Sequence, residues 1–262
     1  MSPTLSRILL LCACFTALSV TAPCRAQSSL SADVWTDTKL YFTSPLRWDT
    51  QDWLFFGGAV AAIGAAHQYD GDVRRHFAGQ SPVLDGKDTH SLRDAAPAAL
   101  VVLGTWAYAG FTDDYQGHRE TFTMLEAAAF STVTAEGLKF AAGRARPNES
   151  NRVDDWRAGG SSFPSLHATA AFAIGTVLAE SGSDEYRWVR RVLGYGIAGA
   201  TAYIRVKDNV HWLSDTVAGA ALGAATARFA MNRREARHPP LDVAIGPAQG
   251  GGMSVSLNYT FQ

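Results

Sequence analysis

The sequence has few cysteines and almost no excess of charge of either sign. Of its 262 residues only three are cysteine, Cys12, Cys14 and Cys24, and all lie near the N-terminus. The formal net charge is -1, from 23 basic and 24 acidic side chains. A nucleic-acid-binding protein neutralises many phosphates with a basic excess, so this balance argues against nucleic acid as a partner. The apolar content of 47% and the mean hydropathy of -0.04 exclude a disordered chain, but leave a soluble and a membrane-embedded protein both open.

The sequence also lacks the common metal-binding motifs. It contains neither the HExxH pair of zinc proteases nor an EF-hand loop. Two acidic pairs, Asp113–Asp114 and Asp154–Asp155, have no third ligand at the regular spacing of a metal site. The sequence therefore predicts a protein that uses neither a metal nor another cofactor.

The cysteines fall within a segment typical of a secretory signal peptide. A short basic region precedes an apolar run at residues 8–20, and small residues at Cys24 and Ala26 predict cleavage before Gln27. Cleavage would leave 236 residues with 21 basic and 24 acidic side chains and no cysteine, which is compatible with export into an oxidising compartment. The alternative is that residues 1–26 remain attached as a first membrane anchor.

Six apolar stretches rich in alanine and glycine follow a polar, aromatic lead-in at residues 27–50. They are longer than typical strands and consist mainly of helix-forming residues, so a mainly α-helical domain is predicted over residues 51–235. Asp52, Thr121 and either Ser165 or Ser214 are candidate N-cap or first-turn residues, and Gly143 and Gly182 are candidate helix stops. A long polar connection at 144–162 separates the third stretch from the fourth, and such long loops in compact domains are usually functional or disordered. The stretches span residues 53–69, 95–112, 121–142, 165–180, 189–204 and 213–231.

Most of these stretches are short for a membrane span. The longest uncharged runs are 53–69 and 95–112, with 17 and 18 residues, whereas a spanning helix needs about 20 largely apolar residues. The favoured interpretation is an exported domain, either periplasmic or membrane-associated, whose functional site lies outside the cytoplasm. Arginines clustered within 187–191 and 228–237 support the alternative, a retained signal with these segments on the cytoplasmic side.

The C-terminal tail has a different pattern from the helical domain. Apolar and polar residues alternate at 241–246 and 253–261, on either side of a glycine-rich segment. This pattern predicts a short C-terminal β-hairpin within residues 241–262. The hairpin either packs on the helical core or contacts an outer membrane or a partner; two strands alone do not close a barrel.

Three motifs carry reactive side chains at predicted helix ends. The first runs from Lys139 to Arg146 and Pro147, the second from Ser162 to His167, and the third from Arg205 through His211 to Asp215. Helix N-termini bind anions through unpaired N–H groups and the helix dipole. Taken singly, each motif has an ordinary structural explanation. Together they supply three cations, two histidines and a carboxylate four residues after the second histidine, a set suited to holding a phosphate and breaking its ester bond.

The order of these motifs, K-x6-RP, PS-x-H and R-x5-H-x3-D, resembles the type 2 phosphatidic acid phosphatase superfamily. This superfamily includes bacterial acid phosphatases, lipid phosphate phosphatases and vanadium haloperoxidases. The resemblance covers Lys139 to Asp215 and implies a six-helix bundle core of the acid phosphatase and haloperoxidase type. It also implies metal-independent hydrolysis of a phosphomonoester or pyrophosphate, with a lipid-linked substrate expected, through a phosphohistidine formed outside the cytoplasm.

The resemblance further implies a role for each matched residue. His211 would attack phosphorus, Asp215 would orient His211, and His167 would protonate the leaving oxygen. Five residues would bind the phosphoryl oxygens through side chains or backbone amides: Lys139, Arg146, Ser165, Leu166 and Arg205. Leu166 replaces the glycine of the usual PSGH motif, and Ile204 replaces the serine that commonly precedes the arginine. Both departures are expected to affect substrate scope and rate more than the type of reaction.

Two other functions are compatible with the same motifs. One is a vanadate-dependent haloperoxidase, and the other is a non-catalytic protein that binds phosphate or lipid. The sequence leaves open the lipid head group, the choice between a lipid and a soluble ester, membrane spanning and the oligomeric state.

Overall fold

The computed structural model describes six ranges of the chain, and the predicted signal peptide at residues 1–26 lies outside them. The chain divides into two compact units, residues 1–47 and 48–262. The described ranges are residues 27–78, 91–112, 115–182, 186–237, 241–247 and 253–259.

The lead-in of the first unit is helical. Helix α1 spans Gln27–Phe42, and a 3-10 turn follows at Ser44–Arg47. The Arg47 guanidinium donates to the Leu40 carbonyl at 2.8 Å and to the Thr43 hydroxyl at 2.9 Å. These bonds join the turn to the last turn of α1.

The described part of the second unit contains six helices, and each overlaps one of the six predicted stretches. The mainly α-helical class is therefore confirmed. The observed helices extend past most of the predicted ends, because those ends were placed where the uncharged runs stop and a helix continues readily through charged residues. The helices are α2 (Thr50–Ala78), α3 (Ser91–Thr112), α4 (Tyr115–Ala142), α5 (Leu166–Glu180), α6 (Arg187–Lys207) and α7 (Leu213–Arg237).

Local capping explains where two of the helices begin. At the start of α2, the Asp52 amide donates to Asp49 Oδ1 at 2.9 Å and the Asp49 amide donates to Asp52 Oδ2 at 3.2 Å. This reciprocal pair is a capping box, with Asp52 in the first turn. Ser165 is the N-cap of α5, and its hydroxyl accepts from the Ala168 amide. Both features agree with the predicted positions, whereas the start predicted at Thr121 is wrong, because α4 already begins at Tyr115.

Helix α5 is the most buried helix and lies against α6 and α7 with their backbones in contact. A Cβ atom at Gly175 would lie 2.5 Å from the Gly194 carbonyl oxygen of α6, and one at Gly223 of α7 would lie 2.3 Å from that of Thr169. Glycine is required where backbones approach this closely. Apolar residues of α4, α5 and α7, including Met124 and Val177, complete the core. The close packing fixes the N-terminus of α5 beside that of α7.

The structure also describes two strands after α7. Strand β1 (Leu241–Pro247) and strand β2 (Met253–Tyr259) form a two-stranded antiparallel sheet. In its register Leu241 lies opposite Tyr259, and Ile245 lies opposite Val255.

Large apolar side chains are exposed on several helices of the second unit. Within the described residues, one segment is long and apolar enough to cross a membrane, Ala95–Thr112 of α3, with a mean hydropathy of 1.3 and only 17% of the segment buried. Contiguous exposed apolar surfaces of soluble monomers are usually small, so larger ones mark sites of interaction. The exposed residues include Trp53, Leu54, Phe56, Leu100, Leu103, Trp106, Phe111, Phe140, Trp188, Val192 and Leu193.

The carboxyl of Glu126 on α4 gives a prediction for stability. Burial raises its pKa to about 7, while Arg233 opposes the rise. In the unfolded chain the carboxyl ionises at its ordinary, lower pKa, so the folded state is increasingly penalised as the pH rises through this window. Since the group is partly exposed and solvent screens it, Glu126→Gln is expected to raise the free energy of unfolding by roughly 1 kcal/mol at about pH 8 and much less at about pH 5.

Chemical denaturation at the two pH values measures this difference. Glu136→Gln is the matched control, because Glu136 lies on the same helix and is exposed. A gain for Glu126→Gln that is the same at both pH values, or no larger than that of the control, would contradict the prediction.

Candidate active site

The three motifs come together at one end of the helical bundle. Lys139 lies in the last turn of α4, Ser165 caps α5, and Arg205 lies in the last turn of α6. The Ser165 amide donates to the Asp215 carbonyl at 3.0 Å, which joins the N-termini of α5 and α7 directly. His211 lies in the turn between α6 and α7. All eight residues predicted from the motifs are among the described residues and lie on these adjoining segments.

The polar connection between α4 and α5 contacts two cations of the site, Lys139 of α4 and its own Arg146. The Lys139 ammonium donates to the Ser161 carbonyl at 2.5 Å, and the Arg146 guanidinium donates to the Ser161 hydroxyl at 3.3 Å. The connection folds back on itself tightly, since a Cβ atom at Gly160 would lie 2.3 Å from the Arg144 carbonyl oxygen. The long polar loop is thus an ordered part of the site.

The start of α5 contributes backbone donors. Ser165 is fully buried, and its carbonyl accepts from the Thr169 amide at 2.9 Å and from the Thr169 hydroxyl at 2.8 Å. The first N–H groups of a helix have no intrahelical acceptor and favour an anion. Leu166 and His167 occupy this first turn, and both are half-buried. The leucine in place of the usual glycine is therefore accommodated at the start of a regular helix.

His211 is a buried histidine among cations. Its side chain is 2% exposed, and its amide donates to the Arg205 carbonyl at 3.2 Å, which ties it to the end of α6. Burial holds the pKa of His211 well below its ordinary value, and the positive charges of Lys139 and Arg205 lower it further. Arg146 and His167 act in the same direction. The imidazole is therefore neutral at neutral pH, with one ring nitrogen able to act as a base or nucleophile.

Asp215 lies beside this histidine, four residues after it in the sequence. Helix α7 begins at Leu213, so His211 and Asp215 do not lie on one helix face. Instead, Asp215 reaches back over the first turn and accepts from the Trp212 amide at 2.9 Å. His211 Nδ1 lies 3.6 Å from Asp215 Oδ2, beyond hydrogen-bond distance, and Nδ1 has no hydrogen-bond partner among the described residues.

The carboxyl of Asp215 is fully buried and accepts further hydrogen bonds. Arg144 donates to Oδ1 at 2.6 Å, and the Ser162 hydroxyl donates to Oδ2 at 2.5 Å. Burial raises the pKa of Asp215, whereas the guanidinium of Arg144 and the hydrogen bonds from Ser162 and Trp212 oppose the rise. Because every one of these partners is positioned to donate, the arrangement matches the ionised carboxylate.

Arg144 and Asp70 are two residues that the sequence reasoning missed. Arg144 is fully buried, donates to Asp70 Oδ2 at 2.7 Å as well as to Asp215, and packs against the rings of Trp156 and Trp212. Arg144 belongs to the polar connection, where its charge is not distinguishable from that of a solvated loop residue. Asp70 lies on α2, far from all three motifs in sequence, just past the end predicted for that helix. No sequence signal linked the two.

The site has no arrangement typical of a metal centre. Across the described part of the chain, no group of three or more histidine, cysteine, aspartate or glutamate side chains is placed to hold a metal ion. Of the two acidic pairs noted in the sequence, Asp113–Asp114 lies outside the described residues. In the other pair, Asp154 contacts His67 at 2.8 Å and Asp155 accepts from the Ser150 hydroxyl at 2.8 Å.

Comparison with known proteins supports the family resemblance drawn from the motifs. Residues 120–239 match the family model described as the PAP2 superfamily. A lipid A 1-phosphatase from Porphyromonas gingivalis is 28% identical over 139 residues, which cover 51% of this chain. The chain spans only 29% of the length of that relative.

Two solved structures are also similar to this chain. The crystal structure of Aquifex aeolicus LpxE has 22% sequence identity and a TM-score of 0.39, over 55% of this chain and 88% of that one. The other is the transmembrane PAP2 type phosphatidylglycerolphosphate phosphatase of Bacillus subtilis, with 17% identity and a TM-score of 0.41, over 91% of this chain and 99% of that one.

Proposed function

Since residues 120–239 match the family model of the PAP2 superfamily, we propose that the chain is a phosphatase that removes phosphate from a lipid-linked phosphomonoester or pyrophosphate. The observation that carries the proposal is a buried, neutral His211 between a carboxylate and several cations. A phosphate monoester carries nearly two negative charges, and fixed cations stabilise the charge that shifts during phosphoryl transfer. A non-catalytic binder would not require a neutral histidine beside them.

In the proposed reaction, Lys139, Arg146 and Arg205 bind the phosphoryl oxygens together with the N–H groups of Leu166 and its neighbours. The Nδ1 atom of His211 faces Asp215, so Nε2 is the atom that attacks phosphorus. The N–P bond forms as the bond to the leaving oxygen breaks, and His167 gives that oxygen a proton. Water then attacks the phosphohistidine, with His167 accepting a proton, and releases phosphate.

The role of Asp215 is to select the tautomer of His211. A carboxylate facing Nδ1 favours the tautomer that carries its proton there and leaves the Nε2 lone pair free. The present separation of 3.6 Å needs to shorten only slightly for a hydrogen bond to form. Catalytic hydrogen bonds are often long before substrate binds.

The exposed apolar surfaces favour a lipid-linked substrate and membrane association. Most of the apolar segment of α3 is exposed, and so are aromatic residues such as Trp53 of α2, Trp106 of α3 and Trp188 of α6. We propose that these surfaces contact acyl chains and that the six-helix core follows the architecture of the family. The apolar N-terminal segment supports export, with the active site outside the cytoplasm. The contact that the C-terminal hairpin makes is unassigned.

Phosphate release by a variant without the nucleophile tests the proposal. His211→Ala is expected to lower kcat on detergent-dispersed phosphatidic acid by ~10³-fold or more, because it removes the attacking atom. His76→Ala is the matched control, since His76 is an exposed histidine on α2. Activity should persist in EDTA and be higher on the lipid than on p-nitrophenyl phosphate.

Two outcomes would contradict this proposal. Undiminished phosphate release by folded His211→Ala would exclude His211 as the nucleophile, and loss of activity on chelation would exclude the metal-free mechanism. Bromide-dependent peroxide chemistry in the presence of added vanadate, without phosphate release, would indicate the haloperoxidase alternative instead.

The pH dependence of kcat follows from the charge state of His211. The imidazole attacks only when it is neutral, and burial, which bound substrate preserves, is the main cause that holds its pKa well below 6.5, so we expect the acidic limb of the profile to lie below that pH. The basic limb arises from loss of the His167 proton, which gives a bell with an acidic-to-neutral optimum. The measurement is kcat at saturating substrate, and a rate that rises continuously to about pH 9 would contradict the assignment.

A further inference from the structure

Asp70 is a buried carboxylate outside the segment that matches the family. It lies on α2, is 1% exposed, and its Oδ1 accepts from the Ser214 amide at 2.9 Å. Its Oδ2 accepts from the Ser214 hydroxyl at 2.6 Å and from Arg144 at 2.7 Å, and it lies 3.0 Å from His67 Nδ1. A buried carboxylate with this many partners is fixed in position. Asp70 therefore holds the first turn of α7, which carries Asp215.

Arg144 joins Asp70 to Asp215. One terminal nitrogen of its guanidinium donates to Asp215 Oδ1 at 2.6 Å and the other donates to Asp70 Oδ2 at 2.7 Å, and all three side chains are buried. The guanidinium is planar and rigid, so it sets the distance and angle between the two carboxylates. Ser214 donates through its amide and hydroxyl to Asp70, and its hydroxyl accepts from Arg144 at 2.8 Å. Two independent connections thus run from α2 to the turn that carries Asp215.

We infer that Asp70 and Arg144 are positioning residues, which hold the Asp215 carboxylate in the orientation that selects the reactive tautomer of His211. This inference rests on the proposed function and extends the active site to α2. Neither residue needs to touch the substrate.

The guanidinium of Arg144, which donates to both Asp70 and Asp215, keeps the Asp215 carboxylate oriented toward His211. Asp215 Oδ2 already accepts from Ser162 and from the Trp212 amide, and it is also the oxygen nearest His211 Nδ1. Without the carboxylate of Asp70, Arg144 has one ionic partner instead of two and is drawn toward Asp215. That stronger contact would turn the carboxylate and lengthen its distance to the imidazole.

Asp70→Asn tests the inference, because the amide keeps the shape of the side chain and removes its charge. We expect kcat per folded protein to fall about 10- to 100-fold, as for partners that orient metal-binding histidines, while KM for phosphatidic acid changes by less than about threefold. Asp72→Asn is the matched control, since Asp72 forms an exposed ion pair with Arg75 on the same helix. A kcat equal to that of the control, or a change in KM alone, would overturn the inference.

The pH profile of kcat in Arg144→Gln is a further test, because a purely structural role of Arg144 would leave the position of its acidic limb unchanged. The charged groups near the pair His211 and Asp215 come from α2, α4, α5, α6 and the polar connection: Asp70, Lys139, Arg144, Arg146, His167 and Arg205. Arg144 opposes the rise in the pKa of Asp215, so its loss should move the acidic limb of kcat to higher pH. Asp70→Asn should leave that limb in place or move it to lower pH. Arg144→Lys keeps the positive charge and should return the acidic limb to its original pH. It should not restore the full kcat, because an ammonium lacks the planar guanidinium geometry that donates to both carboxylates.

Two further measurements decide the inference if a variant does not fold or the chain proves inactive. Ser214→Ala removes the hydroxyl between Asp70 and Arg144 without changing a charge, and kcat should fall about threefold or more. The tautomer of His211, read from 15N NMR of histidine-labelled protein, requires no activity. The unsubstituted chain should carry the proton on Nδ1, and Asp70→Asn should give a mixture. An unchanged kcat in Ser214→Ala, or an unchanged tautomer of His211 in Asp70→Asn, would overturn the inference. If the unsubstituted chain is inactive but carries the expected tautomer, only the proposed function is overturned.

Discussion

The buried carboxylate of Asp215 is the group on which the site depends. An ionised carboxylate removed from water is unstable unless it is paired and hydrogen-bonded, and Asp215 has Arg144, the Ser162 hydroxyl and the Trp212 amide as donors. These donors come from the polar connection and from the N-cap of α7. The need to satisfy one carboxylate therefore brings together the segments that carry the three sequence motifs, and it explains why the long connection is ordered.

Burial and the surrounding cations set the charge state of His211. Burial keeps His211 neutral, and the cations from α4, the polar connection and α6 act in the same direction, because a protonated imidazole would be buried among like charges. A neutral histidine is the form that can attack phosphorus, and the same cations are suited to bind the phosphoryl oxygens. The site is locally positive although the net charge of the whole chain is close to zero. Binding of an anionic phosphate would compensate this local positive charge.

The sequence predicted the helices well, because helix formation depends on local patterns, and the structure places the residues of the three motifs on adjoining segments. Apolar runs marked the six helices, and Ser165 was identified as a cap from its position before such a run. The prediction failed where a contact joins distant segments. Asp70 follows the uncharged part of α2 and resembles a solvent-exposed helix residue, and only the tertiary structure buries it against Arg144. The relation of His211 to Asp215 also depends on where α7 begins: because its first residue is Leu213, the spacing of four residues does not place the two side chains on one helix face.

In the proposed reaction His211 carries the phosphoryl group during turnover. The most direct test is to mix the protein with 32P-labelled phosphatidic acid, quench the reaction in alkaline denaturant and map any label bound to the protein. A phosphohistidine is stable to alkali and labile to acid, so an acid-labile phosphate is expected on the peptide that contains His211. Turnover without any label on the protein under rapid quenching, or label on a different residue, would contradict the proposed reaction.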